Sequence, residues 1–220
     1  MEGGDPAMMD VGLTVVGIAK VFSRRAIFRG ISFSLKRGDS LAITGRNGSG
    51  KSTLVKILCG VLTPTKGRIL YTVDGKNLTI DDAKDQLGLV SPYLQLYDEF
   101  SGLENLELLS RIRSNNFPTG ERAVDALQLV GLWDRRKDMV RTYSSGMKQR
   151  LKYAFALLHG PAVLLLDEPT SNLDAEGVDV VKRVVESQKS GGILVVATND
   201  AAEARWCAQE VHLGGEAEPG

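Results

Sequence analysis

Nine consecutive residues, Gly45-Arg46-Asn47-Gly48-Ser49-Gly50-Lys51-Ser52-Thr53, constrain this chain more than any others. They fit the spacing G-x-x-x-x-G-K-[ST], whose glycines let the backbone curl until its N–H groups converge on phosphate oxygens. Gly45, Asn47, Gly48, Ser49, Gly50, Lys51, Ser52 and Thr53 are therefore expected to surround nucleotide phosphates. Lys51 can reach the β- and γ-phosphates, and the Ser52 hydroxyl can ligate Mg²⁺. The flanks agree with this chemistry. Leu41 to Thr44 is a short apolar run that predicts a buried strand. Lys51 to Leu58 predicts a helix with Leu54, Ile57 and Leu58 on one side, and its positive end adds to the field over the loop.

A second segment supplies the acids. Val163 to Leu166 is apolar and runs into Asp167-Glu168-Pro169-Thr170. Carboxylates at the end of such a strand sit at the carboxyl edge of a parallel sheet, where ligands bind. Asp167 is expected in the Mg²⁺ shell, and Glu168 is expected to polarise an attacking water. Ile193 to Ala197 reads as another buried strand, and Ile31 to Leu35 alternates as a half-buried one. Helical patterning between the strands predicts an α/β sheet with helices on its faces. The middle is mostly helical. Leu103, Leu106 and Ile112, then Ala123, Leu127 and Val130, recur at helical spacing, with Pro118 and Gly131 as punctuation. A third helix runs from about Ser144 to Leu158. Residues 93–150 thus read as a helical lobe inserted into a sheet domain of residues 11–213, with residues 1–10 and 214–220 as flexible ends.

Charge and cysteine usage narrow the partners. Lys plus Arg and Asp plus Glu both total 27, so the balance gives no reason to expect nucleic-acid binding. Cys59 and Cys207 make neither a metal spacing nor a disulfide framework, and buried reduced thiols are expected. Reduced thiols suit a cytoplasmic protein. No apolar run approaches the roughly 18 residues that a membrane span needs, and residues 1–10 do not have the pattern of a signal peptide. A role at a membrane would come through a separate chain.

The segment Tyr143-Ser144-Ser145-Gly146-Met147-Lys148-Gln149-Arg150 lies shortly before the acidic strand and opens a helix. It resembles the signature motif of the ABC ATPases, in a form found in exporter-type cassettes. Ser171-Asn172-Leu173-Asp174 is similar to the D-loop of that family, and Glu104-Asn105-Leu106 is similar to its E-N-L. The order of elements matches from about Leu13 to Leu213. The resemblance implies a P-loop NTPase core with a parallel sheet, an antiparallel β subdomain and the helical lobe. It implies that Phe22 stacks on adenine, that ATP and Mg²⁺ are bound, and that two cassettes close head to tail. Lys51, Ser52, Asp167 and Glu168 of one subunit would then meet Ser144 and Gly146 of a second, in a homodimer or a heterodimer. The cycle would drive a separate transmembrane subunit, placing the chain at the inner face of the cell membrane. Glu176-Gly177-Val178 and Gly191-Gly192 add a likeness to the cassettes of haem exporters and cytochrome c maturation systems.

Two positions depart from the family pattern. The family's switch histidine falls at Asn199, which can donate a hydrogen bond to a γ-phosphate but carries no imidazolium charge. Slower hydrolysis and a neutral substitution both remain open. The family's Q-loop glutamine falls at Pro92, which leaves that role vacant or gives it to Gln95. A second function stays open beside transport, an ATP-driven clamp on a soluble partner with slow turnover. His159 and His212 have no metal partners at useful spacing.

Overall fold

The computed structural model describes residues 10–113 and 120–214. The expectations for residues 1–9, Pro118 and residues 215–220 lie outside them. Two sheets organise the described residues. The first is antiparallel, built from β1 (Val11–Phe22), β2 (Arg25–Lys36), β4 (Lys66–Val73) and β5 (Lys76–Leu78) in the order β2-β1-β4-β5. On β1 the side chains of Val11, Leu13 and Val15 are buried while Gly12 and Thr14 are only half-buried, the two-residue period of a one-sided strand. Asp10 extends this sheet, its N–H donating to Asp74 Oδ1 at 3.0 Å and its carbonyl accepting from Asp74 at 2.8 Å.

The second sheet is parallel throughout. It comprises β3 (Ser40–Gly45), β6 (Leu87–Val90), β7 (Val163–Asp167), β8 (Ile193–Ala197) and β9 (Gln209–Leu213), in the order β6-β7-β8-β3-β9. Every residue of β7 and β8 is buried, which explains why both read as unbroken apolar runs. Their alternate side chains serve two cores. Val163, Leu165, Ile193 and Val195 face a cluster with α1 (Lys51–Leu58) and the antiparallel sheet. Leu164, Leu166, Leu194 and Val196 face a cluster built by α4 (Ser145–Leu157) and α5 (Ala175–Gly191).

The middle helices join that second core. Leu106 of α2 (Gly102–Arg113) and Ala123 and Leu127 of α3 (Gly120–Leu129) pack in the same cluster as Leu151 and Ala154 of α4. The helical stripes seen in the sequence are core faces at Leu106, Ala123, Leu127 and Val130, whereas Ile112 departs from its stripe and is 67% exposed near the end of α2. Asn105 is fully buried within this group, and its amide nitrogen donates to the carbonyls of Tyr97 and Ser101 at 2.9 and 3.0 Å. That buried network fixes the start of α2 against the preceding loop. The cysteines differ from expectation, since Cys59 and Cys207 are free but only half-buried.

Register brings the functional loops to one edge. Ala197, the last residue of β8, pairs with Ile43 of β3 on one side and with Asp167 of β7 on the other. The loops leaving β3, β7 and β8 consequently emerge side by side. No helix among the described residues is long and apolar enough to cross a membrane.

Candidate nucleotide site

The loop after β3 is shaped by glycines whose conformations other residues rarely adopt. Gly45 has φ +139, and a Cβ there would lie 2.2 Å from the Leu213 carbonyl oxygen. Gly50 has φ +102 and would push a Cβ to 2.4 Å from Ile27. Both positions demand glycine for space as well as for backbone angle. The curled loop delivers Lys51 at the start of α1, where it is buried and donates to the carbonyls of Gly45 at 2.8 Å and Arg46 at 3.3 Å.

Across the sheet edge, the Ser52 hydroxyl donates to Asp167 Oδ1 at 3.0 Å. Asp167 is almost fully buried. Burial raises its carboxyl above the usual range, the Ser52 hydrogen bond pulls it back, and the charge of Glu168 adds to the rise. Two hard oxygen donors in contact at a strand end form a donor set that suits Mg²⁺. The Ser49 hydroxyl is buried in the same loop and has no partner among the described residues. An orphaned buried hydroxyl in an N–H-rich cradle fits a phosphate oxygen.

Glu168 turns the chain out of β7 with φ +51, uncommon for a residue with a side chain. Its own N–H still bonds the Ala197 carbonyl at 2.9 Å, so the turn is held from β8. An opening of about 300 Å³ over the loop is lined by Gly48, Lys51, Ser52, Thr53 and Glu168, together with Ile27 and Tyr93. Asn47 and Glu168 also line a neighbouring opening of about 280 Å³ with Ser171 and Asn199. The sequence-predicted phosphate, metal and acid residues thus converge.

Other expected residues stand apart from them. Phe22 lies at the end of β1, 44% exposed, with the Lys20 ammonium 4.7 Å above its ring. Ile27, and not Phe22, lines the opening over the loop. Ser144 caps α4, accepting from the Met147 N–H at 3.2 Å. Gly146 approaches the Asn172 carbonyl, where a Cβ would sit 3.4 Å from the oxygen. Neither Ser144 nor Gly146 lines either opening. Gln95 faces a different opening, shared with Asp98 and Lys148. Tyr93 reaches the loop instead, its ring 3.8 Å beneath the Lys56 ammonium. Sequence reasoning missed Tyr93, whose only signal was an aromatic beside the irregular Pro92.

The family model described as ABC transporter matches residues 28–171, well over half of the chain. The chain belongs to the ABC transporter ATP-binding family. This cassette is 34% identical over 194 residues to the linearmycin resistance ATP-binding protein LnrL of Bacillus subtilis, covering 87% of the chain and 62% of that relative. It is 31% identical to the lantibiotic transport ATP-binding protein SrtF of Streptococcus pyogenes, covering 85% of the chain and 79% of the relative. Among solved structures, the ATP-binding subunit of an ABC transporter superposes with a TM-score of 0.79 at 26% identity, over 91% of this chain and 85% of that one. The cassette has the ABC ATPase fold, with its parallel sheet, antiparallel sheet and helices, and cassettes of this family are ATPases.

Proposed function

We propose that this chain binds ATP with Mg²⁺, hydrolyses it, and uses the cycle to power a separate membrane subunit. The observation that carries the proposal is the convergence of Lys51, Ser52, Asp167 and Glu168 on one sheet edge, with Ser52 bonded to Asp167. In this reading Gly45, Asn47, Gly48, Ser49, Gly50 and Thr53 cradle the phosphates, and Lys51 compensates their charge. Ser52 and Asp167 hold Mg²⁺, which neutralises charge on the phosphate oxygens. Glu168 accepts a proton from the attacking water, and Asn199 donates to the γ-phosphate. Phe22 approaches the adenine once nucleotide is present.

Ser144 and Gly146 line neither opening of their own chain. That separation supports head-to-tail closure, in which a second cassette, identical or not, presents its signature helix to this phosphate cradle. The capped start of α4 then offers its free N–H groups to the γ-phosphate. Residues 11–213 act in this scheme as a single ATPase domain, with residues 93–150 as the lobe that carries the signature. The name of one relative, a linearmycin resistance protein, supports export as the direction. The chain would work from the cytoplasmic face of the membrane, held there by its partner.

An ATP-driven clamp on a soluble partner is the second reading. It is favoured by Asn199 at the switch position and by its contact with Asn47. Purification with the native partner decides between the readings. Recovery of a multi-span membrane protein in ATP-dependent amounts supports transport, and recovery of a soluble partner alone supports the clamp.

A further inference from the structure

Glu203, in the short helix α6 (Ala201–Ala204), is a buried carboxylate, only 5% exposed. Its two oxygens are divided between two segments. Oε1 accepts from the Thr170 hydroxyl and from the Thr170 N–H, the latter at 3.2 Å. Oε2 accepts from the Thr198 hydroxyl. The Thr198 oxygen in turn accepts from the Asp200 N–H at 2.9 Å, so its hydroxyl proton is directed at Glu203. Thr170 lies two residues beyond Glu168, and Thr198 immediately precedes Asn199. Glu168, Thr170, Thr198, Asn199 and Glu203 line one opening with Asn47.

Burying a carboxylate is costly unless it is well paired, and no cation bridges Glu203 among the contacts described. Three charge-assisted donors compensate it, and all three come from the two loops that carry the expected water-polarising and γ-phosphate-sensing groups. Tyr153 of α4 strengthens one end, its hydroxyl donating to the Pro169 carbonyl at 2.8 Å. Burial, and then the nearby charge of Glu203, raise the Tyr153 phenol, which keeps it a proton donor.

We propose that Glu203 is a positioning residue for ATP hydrolysis, a clamp that fixes the spacing between the Glu168 and Asn199 loops. Touching neither reacting atom, it acts through Thr170 and Thr198. The proposal rests on the ATPase reading above. Misplacing a reacting group by about 1 Å costs on the order of a hundredfold in rate, which sets the scale expected for loss of the clamp.

The test measures phosphate release, nucleotide affinity and thermal stability for the purified chain and its Glu203→Ala and Glu203→Gln variants. Glu203→Ala is expected to lower kcat by about a hundredfold while the Kd for ATP stays within about threefold. Glu203→Gln should recover most of the rate, since its carbonyl can accept from Thr170 while its amide donates to Thr198. Asn199→Ala should cost little further in the Glu203→Ala background, because the amide that the clamp positions is already misplaced. Should Glu203→Ala fail to fold, Thr170→Val and Thr198→Val each remove one hydroxyl donor to Glu203 at nearly constant volume, and each should lower kcat about tenfold. A folded Glu203→Ala, or the two valine variants, with kcat within twofold of the parent overturns the clamp alone. A loss of ATP affinity in proportion to rate also overturns it. A parent chain with no ATP hydrolysis overturns the ATPase reading and the clamp together.

Discussion

The Asn199 side-chain amide donates to Asn47 Oδ1 at 2.9 Å, joining the loop after β8 directly to the phosphate cradle. Two neutral amides thus occupy the edge where a γ-phosphate would arrive, and in the proposed mechanism Asn199 would exchange Asn47 for phosphate during turnover. A histidinium at this position would offer a charge-assisted donor, roughly twice as strong as the neutral amide. Asn199→His is expected to raise kcat about five- to tenfold, measured as steady-state phosphate release. An unchanged rate would show that the amide already supplies what the step needs.

Glu168 stands over the cradle on a backbone turn held from β8, beside Lys51 and Ser52. Glu168→Gln keeps the shape and removes the proposed base. Hydrolysis should fall by about two to four orders of magnitude while ATP binding persists. Light scattering with ATP should then report a species of twice the chain mass. A monomer in saturating ATP would rule out closure of two identical cassettes.

Lys51 spends two of its donors on the carbonyls of its own loop, which leaves one for a phosphate. Lys51→Ala is expected to reduce hydrolysis about 10²- to 10³-fold. Full ATPase activity in that variant would remove the cradle from the mechanism. Lys51 is buried, so a melting curve on the same sample is needed to separate chemistry from stability.

Burial pushes the Cys207 thiol up to about 12, and burial also raises Cys59. The reactive species is the thiolate, so a raised value means a protonated, slow thiol at pH 8. A thiol at 12 is ionised there to about one part in 10⁴, against about a quarter for a free cysteine. Native protein should take up iodoacetamide far more slowly than the same protein in urea, with Cys207 the slower residue. Equal rates in both states would contradict the protection that this partial burial gives.

Leu165 on β7 is fully buried between α1 and the antiparallel sheet. Leu165→Ala should destabilise the fold by about 2–5 kcal/mol, read from denaturant unfolding. Since Leu164 faces the opposite core, the same change there tests the helical side of the sheet independently.

Much of the site could be read from the sequence because its chemistry is carried by contiguous residues. Gly45 to Thr53 and Asp167-Glu168 are each a short run, and the apolar strands before them announce where they emerge. The two cysteines show the limit of such reading, since composition predicts burial but packing leaves both half-covered. The antiparallel strands were weakly marked as well. β1 and β2 change register near Val15 and Ile18, and those irregularities interrupt the two-residue alternation that reveals a strand.

By itself, then, the sequence determined the phosphate loop, the acid pair, the parallel α/β core and the family. Each depends on local backbone chemistry or on an apolar period within a single segment. Only the tertiary structure decided which distant side chains meet. It put Asn199 on Asn47, Tyr93 rather than Gln95 at the cradle, and Glu203 between Thr170 and Thr198. The physical reason is the pairing of Ala197 with both Ile43 and Asp167, a long-range register that no single segment encodes.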